Sequence, residues 1–501
     1  MRNRGWIIAA LAMACKAPGV AEQPAGPPAA RASDPPAELA AVEHGLLPPI
    51  VLAGVDLRMT VAQRLPHHKV PAIGVAVIDH GAVHWARTWG VLEAGKPIAA
   101  DAETRFQAAS ISKPVTAVAV LRLIEQNRLE LDADVNRYLR SWKLPARAAP
   151  VTIRQLLSHT AGLNAPEQTA YFRPDQTFAG YPRGAPLPTT TQILNGGTPA
   201  ISEPVRFLDG WTGGFRYSGG GYMVLQQVIE DVTGTPFAAA MRALVLEPVG
   251  MTHSTFEPEP GTDNVARAHT AAGEPVAGGW IVVAEKSIGG LWTTPRDLAL
   301  LVTHLMAASN GETGRVLKPE TVKLMLTPIA NARPMLSASI GLGMFVSDDA
   351  GDVVFSHNGH NPGFHATIAA VPASGRGMVV MINREAGGAV AGEMMFAIGA
   401  VYDWPARTGV RARSRALFDV APAVVAAAAG TYQGFGFRVT VRADAAKLFA
   451  TVDDRPELRL YPIGASEFVD PYSGLVFGFA IDGDRARQLT IDGKHEAARV
   501  E

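Results

Sequence analysis

Between Val115 and Ile124 almost every residue is aliphatic, and this run restricts the possible folds more than any other stretch. A helix with no polar face must pass through a core, so the chain has to build layers on all sides of it. Pro114 suits a first helical turn, where its missing N–H costs nothing, and so fixes where the helix begins. Ser110 and Lys113 then fall at its N-terminus. Residues three apart share a face, which brings hydroxyl and ammonium together. A lysine taken partly out of water gives up its charge more easily and can receive the serine proton. The free N–H groups of the first turn favour negative charge where an oxyanion would form. The pattern S-x-x-K also arises as a plain helix cap followed by a solvated lysine, so its meaning depends on what else the chain brings to it.

The chain has 501 residues, too many for one hydrophobic core, and two or three domains are expected. A net charge of -1 gives no basic excess for nucleic acid and no acidic tail. The single cysteine excludes an internal disulfide framework and a cysteine-based metal site. That residue, Cys15, follows the short apolar run Trp6 to Ala14, which is preceded by Arg2 and Arg4 and is too short to span a bilayer. Residues 1–14 resemble a bacterial lipoprotein signal, with Cys15 as the lipid attachment point; secretory cleavage after Ala14 or Ala21 is the alternative. Both predict an exported protein, periplasmic or membrane-anchored. Residues 15–45 are rich in Pro and Ala and read as a tether.

From Val70 to Trp89 the chain alternates around Asp79-His80-Gly81, a hairpin. Val151 to Leu163 reads as a short amphipathic helix closed by Gly162. His159, near its end, fits a structural histidine, with a catalytic role as the alternative. Asn164 to Arg216 has little periodicity, as a lid or pocket wall would. Phe215 to Val232 places Tyr217 on a Gly-rich turn before a helix, where a tyrosine near Lys113 can act as general base. Trp292, ahead of a helix capped by Thr294, is a candidate pocket wall. Val353 to Val371 carries His357, His360 and His365 on β-rich runs. No His/Glu pair at helical spacing accompanies them, so a metal site is not expected.

Taken in order, Ser110-x-x-Lys113, Tyr217-Ser218-Gly219 and His357-Asn358-Gly359 resemble the serine β-lactamase and penicillin-binding-protein superfamily. The closest likeness is to class C β-lactamase-like serine hydrolases, over roughly Leu46 to Tyr402. The resemblance implies an α/β (α+β) fold, an antiparallel sheet flanked by helices with a helical subdomain beside it, over residues 46–404. It implies Ser110 as acylated nucleophile, Lys113 and Tyr217 as general acid/base, and His357 on the opposite wall of the catalytic set. The oxyanion hole would be the N–H groups of Ser110 and His360. Gly219, Asn358, Gly359 and Trp292 would meet the substrate, a small ester, amide or peptide, with no cofactor and no metal. Two departures bear on that substrate. Many class C enzymes have Asn at the position of Gly219, and commonly Lys at that of His357. Histidine is only partly charged near neutral pH, so both changes favour a neutral ester or amide over a carboxylate-bearing β-lactam.

Residues 405–429 read as a linker helix. From Gly430 the chain turns to short strands with turn signals, a small antiparallel β-domain over 430–501 that resembles the lipocalin-like domain of such hydrolases.

Overall fold

The computed structural model describes residues 36–147, 149–171, 180–333, 338–349, 351–405, 410–434, 436–453 and 457–500. The signal run, most of the tether and Cys15 lie outside them. The described chain opens on helix α1 (Ala37–Glu43), which buries Leu39 and Val42 against the body, so the last part of the expected tether is docked structure.

Eight strands form the main sheet: β1 (Ala72–Asp79), β2 (Ala82–Gly90), β3 (Ala330–Arg333), β4 (Ala338–Ile340), β5 (Phe345–Asp349), β6 (Asp352–Asn361), β7 (Phe364–Val371) and β8 (Arg376–Ile382). Their order is β2-β1-β8-β7-β6-β5-β4-β3, with neighbours antiparallel. The β1–β2 turn has both His80 (φ 49°) and Gly81 (φ 74°) left-handed, the twist a two-residue hairpin needs. Between the hairpin and β3 come helices α2 (Ser112–Glu125), α3 (Pro166–Tyr171), α4 (Gly219–Thr233) and α5 (Pro295–Ser309). Helix α6 (Gly388–Val401) follows β8.

Strand β1 is buried on both faces, and side chains alternate along it. Ala72, Ala76 and Ile78 join the core shared with α2, α4 and α5, while Ile73, Val75 and Val77 join the core under α6. The sheet is therefore a middle layer. Helix α2 has 11 of its 14 residues buried, as its lack of a polar face requires.

From Gly430 eight further strands close into an antiparallel barrel, its first and last joined through Tyr432 opposite Arg499. The barrel interior is Tyr432, Val439, Leu448, Phe468, Phe477 and Phe479, with Val425 and Ala428 of a short helix (Pro422–Ala428) set among them. That helix is the only helical part of the expected linker among the described residues. Earlier in it, Arg413–Arg415 pairs in parallel with Ile50–Leu52 and ties the barrel to the body.

A buried ion pair strengthens the same seam. Arg64 donates its Nε–H to Glu393 Oε2 of α6 at 2.6 Å, and its Nη2 to Oε1. His68 reaches the same carboxylate at 3.0 Å, and the guanidinium lies 4.7 Å from the ring centroid of Tyr472 in the barrel section. Burial pushes the Glu393 carboxyl up, but the hydrogen bonds from Arg64 and His68 outweigh it and hold the group below its ordinary range. Its contribution to stability is therefore present above the ordinary glutamate range and is lost as pH falls through the lowered value. Arg64→Met leaves that buried acid with His68 as its remaining partner, at an expected cost of about 3 kcal/mol in denaturant unfolding. Arg64→Met/Glu393→Met should recover most of the loss.

Candidate active site

Ser110 does not sit in α2 itself. It occupies a 3₁₀ turn, Ala109–Ile111, and the α-helix starts at Ser112. Ala109 holds φ at 49°, a left-handed conformation that strains a residue with a Cβ. The surroundings impose it. Ala108 N–H donates to Leu291 O at 2.8 Å, and Ser112 Oγ accepts from Leu291 N–H at 3.0 Å, so the turn is pinned on both sides. Lys113, 1% exposed, places Nζ 3.0 Å from Ser110 Oγ and 3.3 Å from Ile288 O.

Tyr217 precedes Ser218, the N-cap of α4. Ser218 Oγ donates to Asn164 O at 2.6 Å and accepts from Gly221 N–H at 3.1 Å. The Tyr217 ring centroid lies 4.8 Å from Lys113 Nζ. His159 stacks on that ring at 4.4 Å and accepts from Ser218 N–H through Nδ1 at 3.1 Å. Burial, then the charges of Lys113 and His357, hold His159 well below its ordinary value, so it is a neutral imidazole with its proton on Nε2. It positions Tyr217. The helix before it runs only Ile153–Leu157, and the left-handed residue that turns the chain is His159 (φ 54°), well before the expected stop at Gly162.

Strand β6 supplies the opposite wall. Its partner β5 pairs only as far as Phe345 opposite Ser356, so His357 to Asn361 have β7 on one side and an open edge on the other. Gly359 lets that edge approach the serine turn: a Cβ there would collide with Ala108 O and lie 3.1 Å from Ala109 Cβ. The two-residue turn Pro362-Gly363 closes on Asn361 opposite Phe364. Bonded and non-bonded pairs alternate from that closing pair, so His360, opposite His365, points its N–H away from β7 toward the open edge. Asn361 Nδ2 donates to Gln107 Oε1 (2.7 Å) and Gly289 O (2.9 Å), and Glu385 accepts from Gly363 N–H (2.7 Å) and lies 2.6 Å from His360 Nε2. His357 is buried, its Nδ1–H donating to Asn358 O at 2.7 Å and its ring 6.4 Å from that of Tyr217.

These groups surround a cleft of about 700 Å³. Ser110, Tyr217, Phe345, His357, His360 and Met395 are among the side chains that line it, and none of its described lining residues is Lys, Arg, Asp or Glu. No described barrel residue lines it either.

A profile of the family described as Beta-lactamase matches residues 57–401. The chain belongs to the Beta-lactamase family. Within it, the chain is similar to Esterase EstB of Burkholderia gladioli, 36% identical over 209 residues that cover 39% of this chain and 50% of EstB. The chain thus spans about half the length of that relative. Among solved structures it is similar in fold to an octameric penicillin-binding protein homologue from Pyrococcus abyssi (TM-score 0.61, 20% identity, 88% of this chain and 98% of that one). It is also similar in fold to the D-amino acid amidase of Ochrobactrum anthropi SV3 (TM-score 0.54, 19% identity, 73% and 99%).

Against this Beta-lactamase-family frame, two of the expected substrate contacts lie elsewhere. Trp292 is 2% exposed and packs edge-on against Trp280 and Phe364, so it is core and not cleft wall. Gly219 is buried behind Tyr217 and does not line the cleft. A Cβ at 219 would run into the carboxyl group of Glu167, which occupies that space. Asn358, Gly359 and His360 do line the cleft beside Ser110. Sequence reasoning did not find Glu167; the one signal was the glycine at 219, a vacancy that some other side chain had to fill.

Proposed function

We propose that this protein is an exported serine hydrolase that works through an acyl-enzyme on Ser110 and cleaves small neutral esters or D-amino-acid amides and peptides. The observation that carries the reading is the buried Lys113 amine, 3.0 Å from Ser110 Oγ and beneath the Tyr217 ring. In the reaction, the unprotonated amine takes the Ser110 proton as Oγ forms a bond to the substrate carbonyl carbon. The C=O pair moves to oxygen, where the N–H groups of Ser110 and His360 receive it. When that pair returns, the bond to the leaving group breaks, and Tyr217 with Lys113 delivers the proton to the departing oxygen or nitrogen. Water then repeats the sequence and frees the acid. The lining favours a neutral substrate, since a carboxylate buried there would find no lysine or arginine among the described lining residues, and Lys113 is engaged by Ser110. The likeness to an esterase supports the same substrate class.

The test is a fluorophosphonate probe with peptide mapping, run beside a chromogenic ester, a D-amino-acid anilide, a chromogenic cephalosporin and a D-Ala-D-Ala peptide. Labelling at Ser110 with ester or anilide turnover is the expected result. Turnover of the cephalosporin or D-Ala-D-Ala peptide alone would favour a β-lactamase or D,D-carboxypeptidase, and stable labelling without turnover a penicillin-sensing module.

A further inference from the structure

Beyond Ser356, where its pairing with β5 stops, β6 has a neighbouring strand on one side only. A donor on such an edge keeps its place only if other contacts hold the strand. Side chains alternate along β6. A Cβ on Gly359 would point at Ala108 and Ala109 of the serine turn, so Asn361 leaves on that face and His360 on the opposite one. Asn361 pins the inner face through Gln107 and Gly289. On the outer face, His360 Nε2–H donates to Glu385 Oε1 at 2.6 Å, and Oε2 of the same carboxyl group accepts from Gly363 N–H at 2.7 Å. One side chain thus spans the end of β6 and the turn that follows it.

Glu385 is itself braced on the core. It lies in the short connection between β8 and α6, and its N–H donates to His269 O at 2.9 Å. His269 is fully buried. Its Nε2 accepts from Ala94 N–H at 3.0 Å, so its proton is on Nδ1, which donates to Asn383 O at 2.9 Å. Asn383, also fully buried, accepts from Ala72 N–H at the start of β1 at 2.8 Å. His365 completes the assembly: it sits opposite His360 in register, stacks on its ring at 4.4 Å and donates Nε2–H to the Glu385 carbonyl. The His360 side chain is 43% exposed, and a pair this open adds little to stability, so what the contact contributes is position.

We propose that Glu385 is a positioning residue for the reaction: gripping the His360 ring and the Gly363 N–H from behind β6, it sets where the His360 N–H stands when the oxyanion forms. The inference rests on the reading of that N–H as an oxyanion donor. The His360 side chain is then the handle by which the strand is held, and its backbone is the part that meets the charge. A donor acts on the transition state only at hydrogen-bond distance from the forming oxyanion, so a small shift of the strand costs rate before it costs substrate binding.

The test is steady-state turnover of a neutral chromogenic ester, with kcat counted per site that a fluorophosphonate labels. Glu385→Ala removes both contacts and is expected to lower kcat by about 10–100-fold while KM stays near that of the parent. Glu385→Gln keeps the span, since its amide oxygen can accept from Gly363 N–H and its NH2 can donate to a neutral His360 ring; it should recover most of that rate. Glu385→Asp, one methylene short of reaching both groups, reads the same split should Ala prevent folding. In Glu385→Ala/Gly359→Ala the combined loss should fall short of the product of the single losses, because both act on one N–H; the full product overturns the proposal. A lower labelled fraction with kcat per site unchanged is a purely structural role and also overturns it, as does a rise in KM alone. If Gly359→Ala lowers kcat and Glu385→Ala does not, only the role of Glu385 fails. If Gly359→Ala leaves kcat intact, the His360 donor and this role fail together, and if Ser110 is never labelled the hydrolase reading fails with them.

Discussion

Lys113→Met is expected to lower kcat/KM for a chromogenic ester by about 10⁴-fold or more, Ser110→Ala by a similar factor, and the double variant by no more than either. The non-additivity follows from the geometry. Nζ and Oγ stand 3.0 Å apart and perform one step between them, so removing either member removes the step. Methionine is the informative replacement because Lys113 is 1% exposed and its aliphatic stem is packed on every side. An unbranched apolar side chain of similar length fills that space, so lost activity reports the amine and not a cavity. Thermal unfolding separates the two. A cooperative melt close to that of the parent shows a folded variant, whose lost rate then belongs to the amine. The outcome that would remove Lys113 from the chemistry is a variant that stays folded and keeps its esterase rate.

The local chemistry was legible in the sequence because it lies close along the chain. Pro114 and the apolar run behind it were enough to put Ser110 and Lys113 on one face. Pro114 does fall in the first turn of α2, but Ser110 lies in a separate 3₁₀ turn ahead of it because Ala109 is left-handed, and no residue preference announces an alanine at φ 49°. His159 was readable as a structural histidine, but not its place under Tyr217, which follows from a φ of 54° that turns the chain early. The antiparallel sheet and the β-rich C-terminal part were readable from alternation and turns, and together with the helical layer they are the fold observed. Closure of the barrel was not readable, since it depends on Tyr432 meeting Arg499 at the far end of the domain. Trp292 and Glu167 mark the limit of such reading. Whether an aromatic lines a cleft or packs on Trp280, and which acid fills the gap at Gly219, is decided by contacts between distant segments that carry no periodic signal.

Gly359→Ala tests a second, independent part of the site and is expected to lower kcat by about 10²–10³-fold while leaving the serine–lysine pair chemically intact. The added methyl would meet Ala108 O and Ala109 Cβ, backbone and near-backbone atoms of the pinned turn that carries Ser110. Neither can swing aside as a flexible side chain would, so β6 must move away from the turn. The His360 N–H moves with it, and a donor displaced by a fraction of an ångström from a forming oxyanion loses much of its value. The strand has little freedom to compensate, because Asn361 is tied to Gln107 and Gly289, and Glu385 clamps the turn at Gly363. Some of the strain should appear as lost stability, about 1–3 kcal/mol by analogy with overpacked cores. The discriminating measurement compares kcat with KM on a neutral ester. If the open edge of β6 stabilises charge that exists only in the transition state, kcat falls while KM changes little. A rise in KM alone, with kcat preserved, would mean that this edge merely holds the ground-state substrate and that the oxyanion is received elsewhere.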